Sequence, residues 1–369
     1  MNTTERAEQK SNFFAGKRVV VTGGAGFLGH VVARKLREHG CREIFIPRRA
    51  TCDLTRWDCV TRMLDEAKPD FLLHLAATVD NPAGRGNAAA SFCNNVLMST
   101  QLMEAACQRG IEKMVCLGSA SSYPANAPIP LREQDLFTGL PEPTRAAHGI
   151  AKRLPLIHAQ ACRRQYGFRC IFLIPTNFYG PGDNVDPETC YVIPSFVRKF
   201  VEAAESHAAE VVMRGTGRAT RDFLHVDDCA EGILLALEKY DGAEAVNLGS
   251  GIEVRIGELA LEIAALAGYA GRIVWDANYP DGSVRRVLDI ARAQREFGFR
   301  PRISLQEGLR GTVKWCCETR GWRATQAEKE KQSSDVHENL GRTNRDTRNG
   351  TTGSYSSERE NAHDLPVVQ

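Results

Sequence analysis

The sequence predicts an α/β fold, a doubly wound parallel sheet with helices on both faces. Short apolar runs alternate with longer helical patterns, which is the order that βαβ units require. The first run, Val19–Val21, leads through a glycine-rich turn into an amphipathic helical pattern over Val31–His39. Further strands of the sheet are expected at Glu43–Ile46, Phe71–Leu75, Lys113–Leu117 and Cys170–Ile174.

The turn after the first strand carries three glycines in the spacing that a dinucleotide-binding turn uses. Gly23 would allow the tight turn, Gly26 would let backbone N–H groups approach a pyrophosphate, and Gly29 would let the helix lie close to the strand. A tight turn without a ligand is the alternative, because a glycine triplet alone is weak evidence. The residues expected at the cofactor here are Gly23, Gly24, Ala25, Gly26, Phe27, Leu28 and Gly29.

Later strands place further residues at the same edge, because ligands of open α/β sheets bind beyond the carboxyl ends of the strands. Ala76 and Ala77 are small where a backbone must approach a ligand, and Gly118 follows the fourth strand. The second strand is followed by Arg48 and Arg49, where a fold of this kind often has an acidic residue for the ribose. A guanidinium suits a 2′-phosphate, so NADP(H) is favoured over NAD(H); a surface loop with incidental arginines is the alternative.

Composition excludes several classes of function. The 369 residues carry a formal net charge of +2, so no strong field favours nucleic acid or an anionic membrane as a partner. No apolar run approaches the ~18 residues that span a bilayer, and the polar N-terminus lacks a secretory pattern. The 12 cysteines form neither a C-x-x-C pair nor a Cys/His cluster at zinc spacing. We therefore expect a cytoplasmic protein without a metal site.

The domain organisation follows from where the alternating pattern stops. Beyond residue 182 short strands, helices and many arginines mix, which indicates a smaller mixed α/β lobe that binds substrate. A single helix is expected over Ala146–Tyr166 with a kink at Pro155, and Phe223–Val226 and Val246–Leu248 should return to the main domain. The expected segments are a flexible leader (1–16), an NADP-binding domain (17–182 with 222–250), the lobe (183–221 and 251–321) and a disordered tail or partner-binding segment (322–369).

Several stretches resemble the extended short-chain dehydrogenase/reductases, the NAD-dependent epimerase/dehydratase group, and among them the GDP-L-fucose synthases. The most specific are Pro175–Asn184, Tyr191–Lys199, Gly215–Asp228 and Pro280–Asp289. The resemblance implies a Rossmann-type domain, NADPH, a nucleotide-diphosphate sugar that is most readily GDP-linked, and commonly a homodimer. It also implies cofactor contacts from Asp53, Leu54, Asn95, Leu117, Gly118, Pro175, Thr176, Asn177 and Phe178.

The resemblance also implies a chemistry. One base and one acid epimerise C3 and C5 of a 4-keto sugar, and a Ser-Tyr-Lys set handles the C4 oxygen during reduction. Ser119 and Lys152 match the serine and the lysine. His148 replaces the tyrosine, Ser121 replaces a cysteine, and Tyr191 replaces a histidine. The catalytic positions are therefore altered, and either His148 or Tyr191 is expected to supply the C4 proton.

Cationic residues at the substrate positions suit a diphosphate, because two phosphates need charge-assisted donors. Arg214 stands where the family commonly has a tryptophan near the base, and an arginine plane can also stack. Substrate contacts are expected from Asn177, Lys199, Arg214, Arg221, Asp281 and Arg286. Three functions remain open: an NADP(H)-dependent reductase or epimerase/reductase of a nucleotide-diphosphate 4-keto-6-deoxy sugar, a cofactor-binding paralogue with low turnover, and a 4-epimerase or dehydratase with bound NAD.

Overall fold

The structure is a computed structural model that describes residues 12–78 and 87–319. Its strands, numbered along the chain, are β1 (Arg18–Thr22), β2 (Glu43–Phe45), β3 (Phe71–His74), β4 (Lys113–Leu117), β5 (Cys170–Pro175), β6 (Asn177–Tyr179), β7 (Glu210–Arg214), β8 (Thr220–Arg221), β9 (Phe223–His225), β10 (Ala245–Leu248), β11 (Val254–Arg255), β12 (Arg272–Asp276) and β13 (Arg285–Arg286). Six strands form one parallel sheet in the order β2-β1-β3-β4-β5-β10. The order reverses between β1 and β3, where the ligand crevice of such a sheet opens. The predicted doubly wound sheet is confirmed.

Helices cover both faces of this sheet. They are α1 (Phe27–Glu38), α2 (Trp57–Ala67), α3 (Ala88–Gln108), α4 (Ala146–Ala151), α5 (Leu154–Tyr166), α6 (Val192–Glu205), α7 (Val226–Lys239), α8 (Ile256–Leu266), α9 (Ala291–Phe297) and α10 (Leu305–Thr319). Successive strand residues point to opposite faces. Val20 therefore packs with α2, α3 and α5, whereas Val19 and Val21 pack with α1, α7 and α9. Burial on both faces explains why the strands are continuously apolar.

The single helix expected over Ala146–Tyr166 is wrong. This segment forms two helices, α4 and α5, which are separated at Lys152 and Arg153. Pro155 lies in the first turn of α5, where its missing N–H needs no partner, so it does not kink a helix interior. The break ends α4 at Lys152, one of the residues expected to be catalytic.

The leader expected over 1–16 is wrong for residues 12–16. Phe14 is buried, and the ring of Phe13 stacks on Phe71 with the centroids 5.1 Å apart. Residues 1–11 and the expected tail, 322–369, lie outside the described residues. Within the described ranges no helix has the length and apolar character needed to cross a bilayer.

Smaller sheets follow β5: β11-β8-β13, β12-β7 and β6-β9. Of the two segments expected to return to the main domain, β10 joins the central sheet beside β5. Strand β9 pairs with β6, and Leu224 and Val226 pack in the same core cluster as Val19 and Val21. Asp222, between β8 and β9, is fully buried and accepts hydrogen bonds from the backbone N–H groups of Ser250 and Leu288. This carboxylate ties the chain after β10 to the chain after β13. The division into a domain and a lobe remains a prediction.

Candidate active site

The glycine-rich turn leaves no room for a side chain at Gly23 or Gly29. Gly23 has a φ of +71°, and a Cβ there would lie 2.7 Å from the backbone nitrogen of Ala76. A Cβ on Gly29 would lie 2.1 Å from the carbonyl oxygen of Gly23. Gly26 is the N-cap of α1 and no side chain caps the helix, which begins at Phe27, earlier than the predicted Val31. The bare backbone and the positive helix end fit the diphosphate of a dinucleotide.

A polar network that the sequence analysis missed lies at the carboxyl ends of β1 and β3. Thr22 Oγ1 is 2.9 Å from His74 Nδ1, and His74 Nε2 is 3.2 Å from Ser99 Oγ. Ser99 Oγ donates to the carbonyl oxygen of Asn95, so it accepts from Nε2–H while Thr22 donates to Nδ1. Burial lowers the pKa of His74 to about 3, so the ring is neutral. The sequence signal for this network is His74, a polar residue at the end of the apolar strand β3.

Asn95 shapes the backbone beside the expected cofactor site. Its Oδ1 accepts the N–H of Thr78 at 2.8 Å, and its Nδ2 donates to the Thr78 carbonyl, also at 2.8 Å. The amide is therefore engaged by the chain that follows Ala76 and Ala77. Gly118, after β4, is also constrained, because a Cβ there would lie 2.7 Å from the Phe172 ring.

The residues that follow β2 include two exposed arginines. Neither Arg48 nor Arg49 donates a side-chain hydrogen bond to any residue in the described ranges. Asp53 accepts the N–H of Thr55 at 3.0 Å and its hydroxyl at 2.8 Å. These hydrogen bonds, with a smaller attraction from Arg49, hold the pKa of Asp53 below its usual value. The guanidinium groups are available to a phosphate, whereas Leu54 is buried in the core.

Helix α4 brings the residues expected to be reactive into one neighbourhood. A Cβ on Gly149 would lie 2.6 Å from the carbonyl oxygen of Ser121, so α4 lies directly against the turn that follows β4. His148, half-buried, precedes that glycine. In the same turn Ser119 Oγ is 2.8 Å from Ser121 Oγ. The two hydroxyls therefore lie just beyond the carboxyl end of β4, which is the buried Leu117, and the helix that carries His148 packs against the same turn.

Lys152 ends α4 and is only 6% exposed. No hydrogen bond from its ammonium to another described residue is found, and burial lowers its pKa. Burial lowers the pKa of His74 in β3 and raises the pKa of Cys116 in β4, and the charge of Lys152 acts on both groups with a smaller lowering effect. A buried ammonium without a hydrogen-bond partner in the described chain, at this edge of the sheet, fits the ribose hydroxyls of a nicotinamide cofactor.

Tyr191 is the N-cap of α6 and is half-exposed. Burial raises the pKa of the neighbouring Cys190 thiol, while a hydrogen bond from Ser195 opposes the shift.

The preceding loop holds Asp183, to which sequence reasoning assigned no role. Asp183 accepts the N–H of Asn184 at 2.7 Å, and burial raises its pKa to about 7.

The segment after β5 reaches the start of α1. The Phe178 ring lies 6.0 Å from that of Phe27, centroid to centroid. Thr176 Oγ1 and Asn177 Nδ2 both donate to the carbonyl oxygen of Asp222, at 3.0 and 3.2 Å. Pro175 ends the strand that leads into this segment. Phe178 therefore lies beside the start of α1, whereas Thr176 and Asn177 are held by the carbonyl group of Asp222.

Two arginines expected at the substrate are neighbours. Arg221 and Arg286 are paired in register between β8 and β13. Burial, and then the charge of Arg286, lowers the pKa of Arg221 to about 10. Arg221 donates to the carbonyl oxygens of Thr220 and Ser283, both at 2.7 Å, and Arg286 donates to Ser283 Oγ at 2.8 Å. Two adjacent, partly desolvated cations suit a diphosphate.

The other expected substrate residues are more exposed. The guanidinium of Arg214 lies over the Tyr279 ring at 4.8 Å, which makes a planar surface that a base can stack on. Lys199 donates to the carbonyl oxygen of Val212 at 3.0 Å, and burial, then Arg214, lowers its pKa.

Asp281 is engaged within the protein. Its Oδ1 accepts the N–H of Thr216 at 2.7 Å, and its Oδ2 accepts the Thr216 hydroxyl. A Cβ on Gly215 would lie 2.3 Å from Oδ1, so this carboxylate packs directly on the loop after β7. Asp281 therefore shapes the loop that Arg214 begins.

Comparisons with known proteins agree with this geometry. The model of the NAD dependent epimerase/dehydratase family matches residues 19–249. The chain is 38% identical to a probable GDP-L-fucose synthase 1 of Oryza sativa subsp. japonica, over 86% of this chain and 98% of that one. It is 34% identical to GDP-L-fucose synthase of Escherichia coli strain K12, over 82% and 97%. A solved GDP-mannoheptose C4 reductase from Campylobacter jejuni with NADP bound has a TM-score of 0.74 and 26% identity, covering 81% of this chain and 98% of its own.

These matches confirm the likeness to the GDP-L-fucose synthases that the sequence predicts. The family model covers the six strands of the central sheet, from Val19 in β1 to the end of β10, and ends before Asp281 and Arg286. The chain belongs to the NAD dependent epimerase/dehydratase family.

Proposed function

We propose that the protein is an NADP(H)-dependent reductase, or epimerase/reductase, of a GDP-linked 4-keto-6-deoxy sugar. The observation that carries the proposal is the position of α4. This helix sets His148 beside the turn of Ser119 and Ser121 and ends in the buried ammonium of Lys152. The named GDP-L-fucose synthases and the NADP-bound GDP-sugar reductase support the cofactor and the substrate class.

When bound, NADPH supplies a hydride to a carbonyl carbon. The turn at Gly23–Gly29 would bind the cofactor diphosphate, and Arg48 and Arg49 would bind the 2′-phosphate. Lys152 would hold the hydroxyls of the nicotinamide ribose. These contacts favour NADP(H) over NAD(H).

At the sugar, the Ser119 hydroxyl would donate a hydrogen bond to the C4 oxygen, with its orientation fixed by Ser121 at 2.8 Å. His148 would give the proton to that oxygen, because an imidazole can act as a general acid near neutral pH. Tyr191, half-exposed at the start of α6, is the alternative donor. A serine hydroxyl is a poorer base than a thiol, so we propose reduction at C4 as the main reaction.

The diphosphate of the sugar nucleotide would bind between Arg221 and Arg286, and the base would stack on the surface that Arg214 and Tyr279 form. An arginine can also donate two parallel hydrogen bonds to guanine, which supports GDP as the nucleotide.

The test is oxidation of NADPH in the presence of GDP-4-keto-6-deoxymannose, compared with its UDP-linked counterpart. We expect turnover with the GDP sugar and much less with the UDP sugar. Tight binding of NADPH without oxidation on either sugar would favour the low-turnover paralogue. Purification with NAD bound, and conversion of sugars without net oxidation, would favour a 4-epimerase or dehydratase.

We also propose that two copies form a cytoplasmic homodimer through α3 and α5. These helices pack on each other and leave large apolar side chains exposed, among them Leu97, Leu154 and Ile157. Apolar residues on adjacent helices suit a helix-bundle contact with a second copy.

A further inference from the structure

A carboxylate of the protein already contacts the arginine pair proposed for the substrate. Glu142 precedes the single turn Pro143–Arg145, which leads into α4. Its Oε2 accepts a hydrogen bond from Ser283 Oγ at 2.8 Å and lies 3.9 Å from Arg286 Nη2. Glu142 is thus a direct contact between the segment that begins α4 and the segment that leads into β13.

The surroundings of Glu142 are strongly cationic. Arg286 lies close enough to act on Arg221, and Arg145 close enough to act on Arg286, while Glu142 acts on both Arg221 and Arg286. Burial lowers the pKa of both of these arginines, so an anion beside them stabilises their charged form.

The ion pair between Glu142 and Arg286 has the properties of a contact that can be exchanged. At 3.9 Å it is long, and it does not have the two short parallel hydrogen bonds of a strong arginine–carboxylate pair. The side chains are 26% and 21% exposed, so both can be reached from solvent. A diphosphate carries more charge and more acceptor oxygens than one carboxylate, and it would compete well for the same guanidinium groups.

We propose that Glu142 is an internal competitor for the diphosphate site: it holds Arg286 and Ser283 in the free protein and is displaced when the nucleotide sugar binds. The inference rests on the proposed function in one respect, namely that this arginine pair binds a nucleoside diphosphate. Because Glu142 begins the segment that leads into α4, its displacement would release a constraint on the helix that carries His148.

Removal of the competing charge should therefore tighten the binding of GDP. Glu142→Gln keeps an oxygen that can accept from Ser283 and removes only the charge. We expect the Kd for GDP to fall by about three- to fivefold, the range that a partly exposed ion pair contributes. If Glu142 instead positions Arg286 for the substrate, the same variant would bind GDP more weakly.

Glu253→Gln is the matched control. Glu253 pairs with Arg285 at 2.6 Å, and Arg285 precedes Arg286 on β13 with its side chain on the opposite face of the strand. The control, like Glu142→Gln, removes one negative charge that pairs with an arginine of β13. A general effect of net charge would tighten GDP binding in both variants, whereas local competition would do so only in Glu142→Gln.

The experiment is calorimetric titration of GDP into the intact protein and the two variants, with circular dichroism to confirm folding and a parallel titration of NADP. We expect tighter GDP binding by Glu142→Gln alone and unchanged NADP binding throughout. Unchanged or weaker binding by Glu142→Gln, or an equal gain in Glu253→Gln, would overturn the inference while leaving the proposed function intact. Failure of the unmodified protein to bind GDP while it binds NADP would overturn both. Glu142→Ala serves as a second variant if Glu142→Gln does not fold, with the same expected gain.

Discussion

Lys152 illustrates at the residue scale how burial prepares a side chain for a ligand. The ammonium is desolvated and finds no hydrogen-bond acceptor in the described chain, so the protein holds a charge that a bound ribose would stabilise. The pKa is lowered because the neutral form is favoured in the absence of such a partner.

Replacement of this charge should separate stability from binding. Lys152→Met removes a buried charge and keeps the volume, so we expect the melting temperature of the unliganded protein to stay equal or rise. The affinity for NADPH should fall, because the ribose loses its cationic donor. Thermal unfolding without cofactor and calorimetry with NADPH measure the two effects. A lower melting temperature combined with unchanged NADPH affinity would contradict the proposed role.

Asp183 gives a prediction about pH. Burial raises its pKa from 3.8 to about 7, so between these values the unfolded chain has released a proton that the folded protein retains. The free energy of unfolding therefore contains a contribution that is present below pH 3.8 and declines as the pH rises to about 7. Asp183→Asn lacks this dependence and can still accept the N–H of Asn184. In denaturant titrations we expect the free energy of unfolding of Asp183→Asn, relative to that of the parent, to increase between pH 3.8 and about 7. Parallel pH profiles of the two proteins would contradict this prediction.

At the scale of elements, the turn between β1 and α1 depends on close approach of the backbone. A Cβ on Gly29 would lie 2.1 Å from the Gly23 carbonyl oxygen, so a side chain there must open the turn. The break between α4 and α5 coincides with a tertiary contact. Arg153 donates to the carbonyl oxygens of Ser122 and Gly139, which holds the start of α5 against the turn of Ser119.

Two glycine-to-alanine substitutions should therefore have opposite effects. Gly29→Ala should lower the free energy of unfolding and abolish NADP binding, because the diphosphate turn cannot keep its shape. Gly311→Ala, in α10, meets no atom within 4 Å and should stabilise the protein by about 0.5–1 kcal/mol. Denaturant unfolding and NADP titration of both variants check this. Equal stability changes, or unimpaired NADP binding by Gly29→Ala, would contradict the account of the turn.

At the scale of the whole molecule, the sequence predicts the central sheet well because each buried strand is a continuous apolar run between turn residues. It predicts the family because several long stretches keep its pattern. It does not predict the break at Lys152 and Arg153, since the preceding residues favour a helix and the cause is a tertiary contact. It also misses the His74 network and Glu142, whose partners are distant in sequence. The roles of His148 and Tyr191 remain predictions.

The proposed homodimer is tested at this scale by a charge on the exposed helix face. Ile157 is half-exposed on α5, so Ile157→Glu should leave the fold intact and prevent association, because a carboxylate would be desolvated in the contact. Light scattering during size-exclusion chromatography measures the mass. We expect a dimer for the parent and a monomer for the variant. Glu104→Gln, on α3, removes a charge and adds none to the exposed apolar face, so this control variant should remain dimeric. A dimer of the Ile157→Glu variant would refute the proposed interface.

The most direct measurement follows deuterium from the nicotinamide C4 of labelled NADPH into the sugar, with the protein, GDP-4-keto-6-deoxymannose and the His148→Ala variant. The account predicts deuterium at C4 of the product sugar and a rate that falls by about 10²–10⁴-fold when His148 is removed. Recovery of unlabelled sugar from a protein that binds both NADPH and GDP would contradict it.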